Sequence, residues 1–590
     1  SSSRARTSRG SEILLSVKRL PSSGRAMGVC ASSNKDFLIP GIEVSPTVWR
    51  LPSSKGFPEL QELPNLVAST LDLGVAIQGG GIRGGIIGYG ALVALERLGV
   101  RQNVRYMVGV SGSALPVAPL GYLPEKFPVE AFFGPLPTGP KTLTTEELQN
   151  PLDGTFASSL FLGGVGESAT RGVCSLVRQD MRYLFSCCNV GEATCCGQPF
   201  SLHAYTAAMV YPLLNPWDLY VAGSVMSGPV GSESYKRAVD AVGPTGCKVT
   251  PMRRSVPFPI ILTSRLIEAD GHDSSWCPYE ATPLYCGTPV DFSSAPGGAV
   301  GCGVVESFGV GSRPPASLPG GRRAVEDGEK VRVKPTTFTP LPFMVGSSAG
   351  DPFTYSCCNG CVPSSAAQDV AMGGNALPVW SPADIASKNN GLRALEDGGP
   401  CDACGLLALL RRGVKRVFVQ CCDGYDIARV DPGTGSWWSA YWGQAKEESL
   451  AKYAQNVADM NRHAQVFDAK YYEPFIRELK TKSEAGLPVT AELKLPVMEN
   501  RFCGVQGGWE VHILWVMPCR PAAFINALPE ATRQRMLQAP GSYKIDVSNQ
   551  TPFTASFGAY TKDVTRMEIE LAAWTLLNGF SPSTLRDFFG

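Results

Sequence analysis

Histidine is scarce in this chain: His203, His272, His463 and His512 are the complete set in 590 residues. A Ser–His–Asp relay has to draw on one of those four, so a serine served directly by an aspartate must be weighed beside it. Net charge is equally sparse. Lys+Arg number 53 and Asp+Glu 52, leaving +1, and no basic run is interleaved with aromatics. That balance argues against a nucleic-acid binder. No unbroken apolar run reaches the roughly 18–20 residues that span a bilayer, so any membrane contact is expected to be peripheral. What is present, 44% hydrophobic and 18% charged residues, is the balance of a folded globular chain.

Cysteine is plentiful at 19, an odd number, so at least one thiol is unpaired. A chain this long needs no disulfide scaffold, and reduced thiols are favoured over a secreted, partly bridged protein. Cys358…Cys361 and Cys401…Cys404 form two C-x-x-C units. They lie much further apart than the roughly 15–20 residues of a zinc ribbon, so buried thiols are favoured over a metal site.

Two glycine-framed elements carry the chemistry. The apolar run Leu73–Ile77 leads into Gly79-Gly80-Gly81-Ile82-Arg83-Gly84, and Val104–Val108 leads into Gly109-Val110-Ser111-Gly112-Ser113. A strand that breaks at Gly-x-Ser and turns into a helix lifts the serine hydroxyl clear of the backbone, as in the nucleophile elbow of acyl hydrolases. A glycine run ending the neighbouring strand can aim bare N–H groups at the oxyanion such a serine makes. Arg83, next to those glycines, suits an anionic substrate group such as phosphate.

Rivals exist. Gly346-Ser347-Ser348-Ala349-Gly350 fits G-x-S-x-G, yet Asp351-Pro352 follows at once and would disturb the helix leaving an elbow. Gly79-x-Gly81-x-x-Gly84 also matches the dinucleotide fingerprint, which wants an acidic residue at the end of the next strand. Here that strand ends in Gly109-Val110-Ser111. For the base, Asp397 sits in Asp397-Gly398-Gly399; by spacing alone such an aspartate is more often a turn former.

The order strand, glycine loop, helix, strand, elbow, helix predicts an α/β sheet from Leu71 onward. A helix is predicted over Gly85–Leu98 and another over Thr565–Leu577, with strands at Phe258–Leu262, Val417–Val419 and Val511–Val516. Residues 1–65 read as an extended, partly disordered lead-in. The Pro/Gly-rich stretches near 124–250 and 290–340 read as surface insertions or a mobile cap rather than domain linkers. Residues 1–26, Ser/Arg-rich, resemble a transit segment or sequence absent from the mature protein. If translation begins at Met27, Gly28 fits N-myristoylation and Cys30 is placed for palmitoylation.

Six blocks in order resemble the catalytic domain shared by fungal phospholipase B (lysophospholipase) and the cytosolic phospholipase A family, distant relatives of patatin. They are Gly79–Arg83, Gly109–Ser113, Phe258-Pro259-Ile260 with Pro278-Tyr279-Glu280, Phe343–Ser348, Asp397-Gly398-Gly399 with Arg411–Val417, and Phe553–Trp574. The resemblance spans roughly Leu71 to Trp574 and implies a single catalytic domain, 66–590, carrying those insertions. Where the family carries an asparagine after the aspartate, this chain has Cys404.

The resemblance implies a three-layer α/β/α sandwich with a central, mostly parallel sheet and a cap. It implies Ser111 as nucleophile, Asp397 as its base, Gly80 and Gly81 as oxyanion donors, and Arg83 on the substrate phosphate. It assigns Ser348 to a structural stretch. The expected activity is release of fatty acid from phospholipid or lysophospholipid at a membrane or micelle surface. No cofactor, metal, nucleic acid or obligate protein partner is expected. The expected location is cytoplasmic and peripherally membrane-associated, with secreted or organellar as the alternative. An acyltransferase on the same dyad, a dinucleotide-binding oxidoreductase and an inactive lipid-binding scaffold are the other readings.

Overall fold

The computed structural model describes residues between 42 and 590, with larger breaks at 161–193, 200–209, 268–274, 293–297, 350–375, 423–436 (Ile427 apart), 445–462 and 539–561 and several of one to three residues. One 13-stranded sheet organises the described chain. Its strands are β1 (Thr47–Arg50), β2 (Leu73–Ile77), β3 (Tyr106–Val110), β4 (Phe258–Ile267), β5 (Ser275–Ala281), β6 (Tyr285–Phe292) and β7 (Val300–Glu306). They continue with β8 (Glu329–Lys330), β9 (Ala376–Val379), β10 (Gly391–Asp397), β11 (Arg416–Gln420), β12 (Val489–Val497) and β13 (Trp509–Met517).

Strands β4, β3, β2, β11 and β13 run parallel and form the centre. Antiparallel strands extend it on both sides, β12 beyond β13, and β5, β6, β7, β1 and β8 beyond β4. Every residue of β2 and β3 is buried, as expected of strands covered on both faces by crossover helices. The α/β class read from the strand–helix order is what the chain adopts.

Five helices matter for the site: α1 (Gly81–Arg97), α2 (Ala114–Gly121), α3 (Leu341–Ser348), α4 (Leu406–Arg411) and α5 (Lys562–Gly579). Helix α1 begins four residues before the predicted Gly85, inside the glycine loop itself. Intrinsic propensity disfavours a helix through Gly81, Gly84, Gly85, Gly88 and Gly90. Packing overrides it: a Cβ on Gly90 would lie 2.6 Å from the Ile569 carbonyl oxygen of α5, so only glycine lets the two helices approach this closely.

The lead-in is not extended throughout. Thr47–Arg50 is a sheet strand, and Pro58–Glu62 and Pro64–Ser69 are short helices opened by proline. Glu59 anchors them. Its carboxylate takes Arg412 Nε at 2.8 Å and the Tyr285 hydroxyl at 3.0 Å, while Arg412 and Arg411 grip Glu280 at 2.7 and 2.8 Å. All four charged groups are buried, so removing one partner would strand the others away from water. Stretches expected to build a cap carry β7 and β8 at the sheet edge, and the helix Glu233–Val242 beside a two-stranded parallel pair. A second apolar cluster, with Val48, Val242, Val305, Phe308 and Trp380, joins them.

Candidate active site

The carboxyl end of β3 is strained. Val110 is extended, but Ser111 has φ 54°, one of four non-glycine residues with positive φ among those described. A left-handed serine costs on the order of 1–2 kcal/mol and persists only where its surroundings fix it. After one tight turn over Ser111–Ser113 the chain enters α2. This strand–bend–helix geometry is that of a nucleophile elbow.

Two serines hold the bend. Ser113 Oγ accepts the Val110 N–H at 2.8 Å and donates to the Ile77 carbonyl at 2.7 Å, tying the elbow to β2. Ser348 Oγ, fully buried at the end of α3, accepts the Ser111 N–H at 3.0 Å and donates to the Leu262 carbonyl at 2.6 Å. The rival serine is thus a brace for Ser111. Gly112 is fixed by contact, since a Cβ there would sit 1.7 Å from the Gly81 carbonyl oxygen.

The glycine loop lies against this bend. A Cβ on Gly79 would meet Ser111 Cβ at 2.6 Å. Gly80 (φ 137°) and Gly81 (φ 62°) take backbone conformations that side chains rarely adopt. The Gly79 N–H goes to the Ala403 carbonyl at 3.4 Å. The Gly80 and Gly81 amides, at the start of α1 where no intrahelical acceptor exists, form no hydrogen bond among the described residues. Arg83 is half-buried with its Nε enclosed and unbonded, and it makes no ion pair among the described residues. Its Nη2 lies 3.5 Å from where a Gly80 Cβ would stand.

Register brings Asp397 to the same place. Strand β5 occupies one edge of β4, so β3 and β10 share the other. Parallel β3 ends with Val110 opposite Leu262, and antiparallel β10 ends with Asp397 opposite Thr263. The two strands meet end to end, with Ser111 and Asp397 at neighbouring positions along β4. Asp397 is buried, its Oδ1 accepting the Gly399 N–H at 2.7 Å and its carbonyl accepting Ser264 Oγ at 2.6 Å.

Asp402 and Tyr441 were not foreseen. Asp402 Oδ1 takes the Tyr441 hydroxyl at 2.6 Å and Oδ2 the Ala408 N–H at 3.1 Å, in the first turns of α4. The Cys404 N–H donates to the same Tyr441 oxygen at 3.1 Å. Burial pushes the Asp402 carboxyl up, with the Tyr441 hydrogen bond opposing. This pair fixes the loop that runs from Asp397 to Ala403 and so reaches the glycine loop. The only sequence signal was an acid shortly before an apolar helix.

His512 pairs with Glu492 at 2.9 Å, opposite Arg416, which itself lies opposite Leu73. That is the amino end of the parallel strands, away from Ser111. His463 packs on Phe502, in the connection between β12 and β13, towards the same amino end. His203, His272, Gly28, Cys30 and Cys358…Cys361 lie outside the described residues. Cys401 and Cys404 are both buried, and burial pushes the Cys401 thiol well up. Among the described residues no group of three or more His, Cys, Asp or Glu is arranged to hold a metal, and no helix is long and apolar enough to cross a membrane.

No family model matches the chain, and no curated protein matches it by sequence. Among solved structures it is similar to human GIVD cytosolic phospholipase A2, with TM-score 0.42 and 13% identity over 90% of this chain and 62% of that one. It is similar too to that protein in complex with methyl gamma-linolenyl fluorophosphonate, with TM-score 0.41 and 14% identity over 90% of this chain and 61% of the other. The chain spans about three-fifths of the length of these structures.

Proposed function

We propose that this chain is a serine acyl-ester hydrolase that releases fatty acid from phospholipids or lysophospholipids through a Ser111–Asp397 dyad. One observation carries the reading: a non-glycine residue held at positive φ between a buried strand and a helix, at the mouth of a glycine loop with unbonded amides. Ser111 Oγ attacks the acyl carbonyl as Asp397 takes its proton. The Gly80 and Gly81 amides receive the oxyanion; one such donor is worth about 10²–10³ in rate. Collapse of the tetrahedral intermediate passes the proton from Asp397 to the departing alkoxide. Water then attacks the acyl-serine, Asp397 takes its proton, and the fatty acid leaves with Ser111 reprotonated. Arg83, beside Gly80 and without a counter-ion among the described residues, holds the substrate phosphate. His463 and His512, the two histidines among the described residues, lie away from Ser111, in keeping with an aspartate as base.

We place the enzyme at the cytoplasmic membrane surface, with acylation at Gly28 and Cys30 as the anchor where translation begins at Met27. One myristoyl chain alone binds only marginally, with K about 10⁴ M⁻¹. The test is fluorophosphonate labelling with peptide mapping, alongside fatty-acid release from phosphatidylcholine and lysophosphatidylcholine. Ser111→Ala and Asp397→Asn should be folded and inactive, with the label on Ser111. Label on another serine, or wild-type turnover by Asp397→Asn, overturns the assignment.

A further inference from the structure

Arg265, on β4, is 2% exposed and has no ion pair among the described residues. Among the described residues its guanidinium makes one hydrogen bond, from Nη2 to the Asn389 carbonyl, and its Nε is enclosed with no partner. The groups that act on it electrostatically do not supply a counter-charge. Cys277 is wholly buried with its thiol pushed up to about 11, burial pushes the Tyr279 hydroxyl well above its ordinary value, and Arg393 is a second cation. A guanidinium cannot discharge by losing its proton near neutral pH, so its burial is unfavourable unless an anion compensates.

Arg265 lines a small cavity walled by β6, β7 and the segment around Trp380, with Thr288 and Ser381 offering polar groups. The volume open to the centre of a water molecule is about 20 Å³. One water needs roughly 10–15 Å³ by that measure, so the space suits one particle slightly larger than water and not a phosphate ester or a lipid headgroup.

We propose that this cavity is a halide site, with chloride held against the Arg265 guanidinium as its missing counter-ion. The site is independent of the Ser111 chemistry.

The experiment follows thermal unfolding of the full chain in sodium chloride, sodium bromide and sodium gluconate at matched ionic strength. The midpoint should rise saturably with chloride or bromide by about 1–3 °C, and Arg265→Met should lose that dependence. Equal midpoints in chloride and gluconate, or the same rise in Arg265→Met, would overturn the proposal. Should Arg265→Met fail to fold, the wild type decides alone. Bromide in crystals must then give an anomalous peak in this cavity, and its absence there overturns the site.

Discussion

Replacing Ser348 with alanine separates a brace from a nucleophile. The hydroxyl is fully buried and makes two short hydrogen bonds, accepting from the Ser111 N–H and donating to the Leu262 carbonyl. Alanine leaves both groups enclosed and short of a partner, at about 1–3 kcal/mol each. A loss of about 2–6 kcal/mol is therefore expected, read as a lower urea midpoint with unchanged slope. The catalytic effect should differ in kind from that of Ser111→Ala. Ser111 keeps its hydroxyl but loses a tether on its strained backbone. A displacement of the order of 1 Å lowers turnover by about 100-fold, so kcat/KM should fall by about 10- to 100-fold while fluorophosphonate still labels Ser111. A folded Ser348→Ala protein that never labels would refute the reasoning. So would an unchanged urea midpoint, because then the two bonds hold nothing.

Two further predictions follow from charge. Arg83→Gln should raise KM for phosphatidylcholine about 10- to 100-fold, the value of a charge-assisted hydrogen bond, and leave KM for an uncharged p-nitrophenyl ester unchanged; equal effects on both substrates would remove Arg83 from phosphate binding. Glu570 on α5 has its carboxyl pushed up to about 7, chiefly by burial with Arg97 opposing. Because the folded state keeps this proton longer than the unfolded one, stability should fall as pH rises from 4.5 to about 7 and the contribution should stay constant above. The full drop is about 3 kcal/mol. Glu570→Gln should flatten that segment of the stability–pH curve, and an unaltered slope would show that other groups set it.

Which parts were legible in the sequence follows from which forces are local. Strands β2 and β3 were readable because their residues are continuously apolar, and their ends because glycine and serine punctuate them. The early start of α1 was hidden, since glycine at 81 and 84 disfavours a helix by propensity and is accommodated here by the close return of the chain onto Gly79. The lead-in strand at Thr47–Arg50 was missed because its partners on β7 lie more than 250 residues away.

By itself the sequence determined that a strand stops at Val110 and another in a glycine run, which marks Ser111 and the Gly80–Gly81 amides as neighbours. A β–α–β unit allows little else. That Ser348 braces the Ser111 amide, and that Asp397 comes to lie beside Ser111, belonged to the tertiary structure. Both depend on β4, which pairs with β3 and then with β10 along one edge and gives Ser348 its acceptor at Leu262. Hydrogen-bond register between segments more than a hundred residues apart has no local signature in a chain, because any pleated segment can pair at many offsets until side-chain burial selects one.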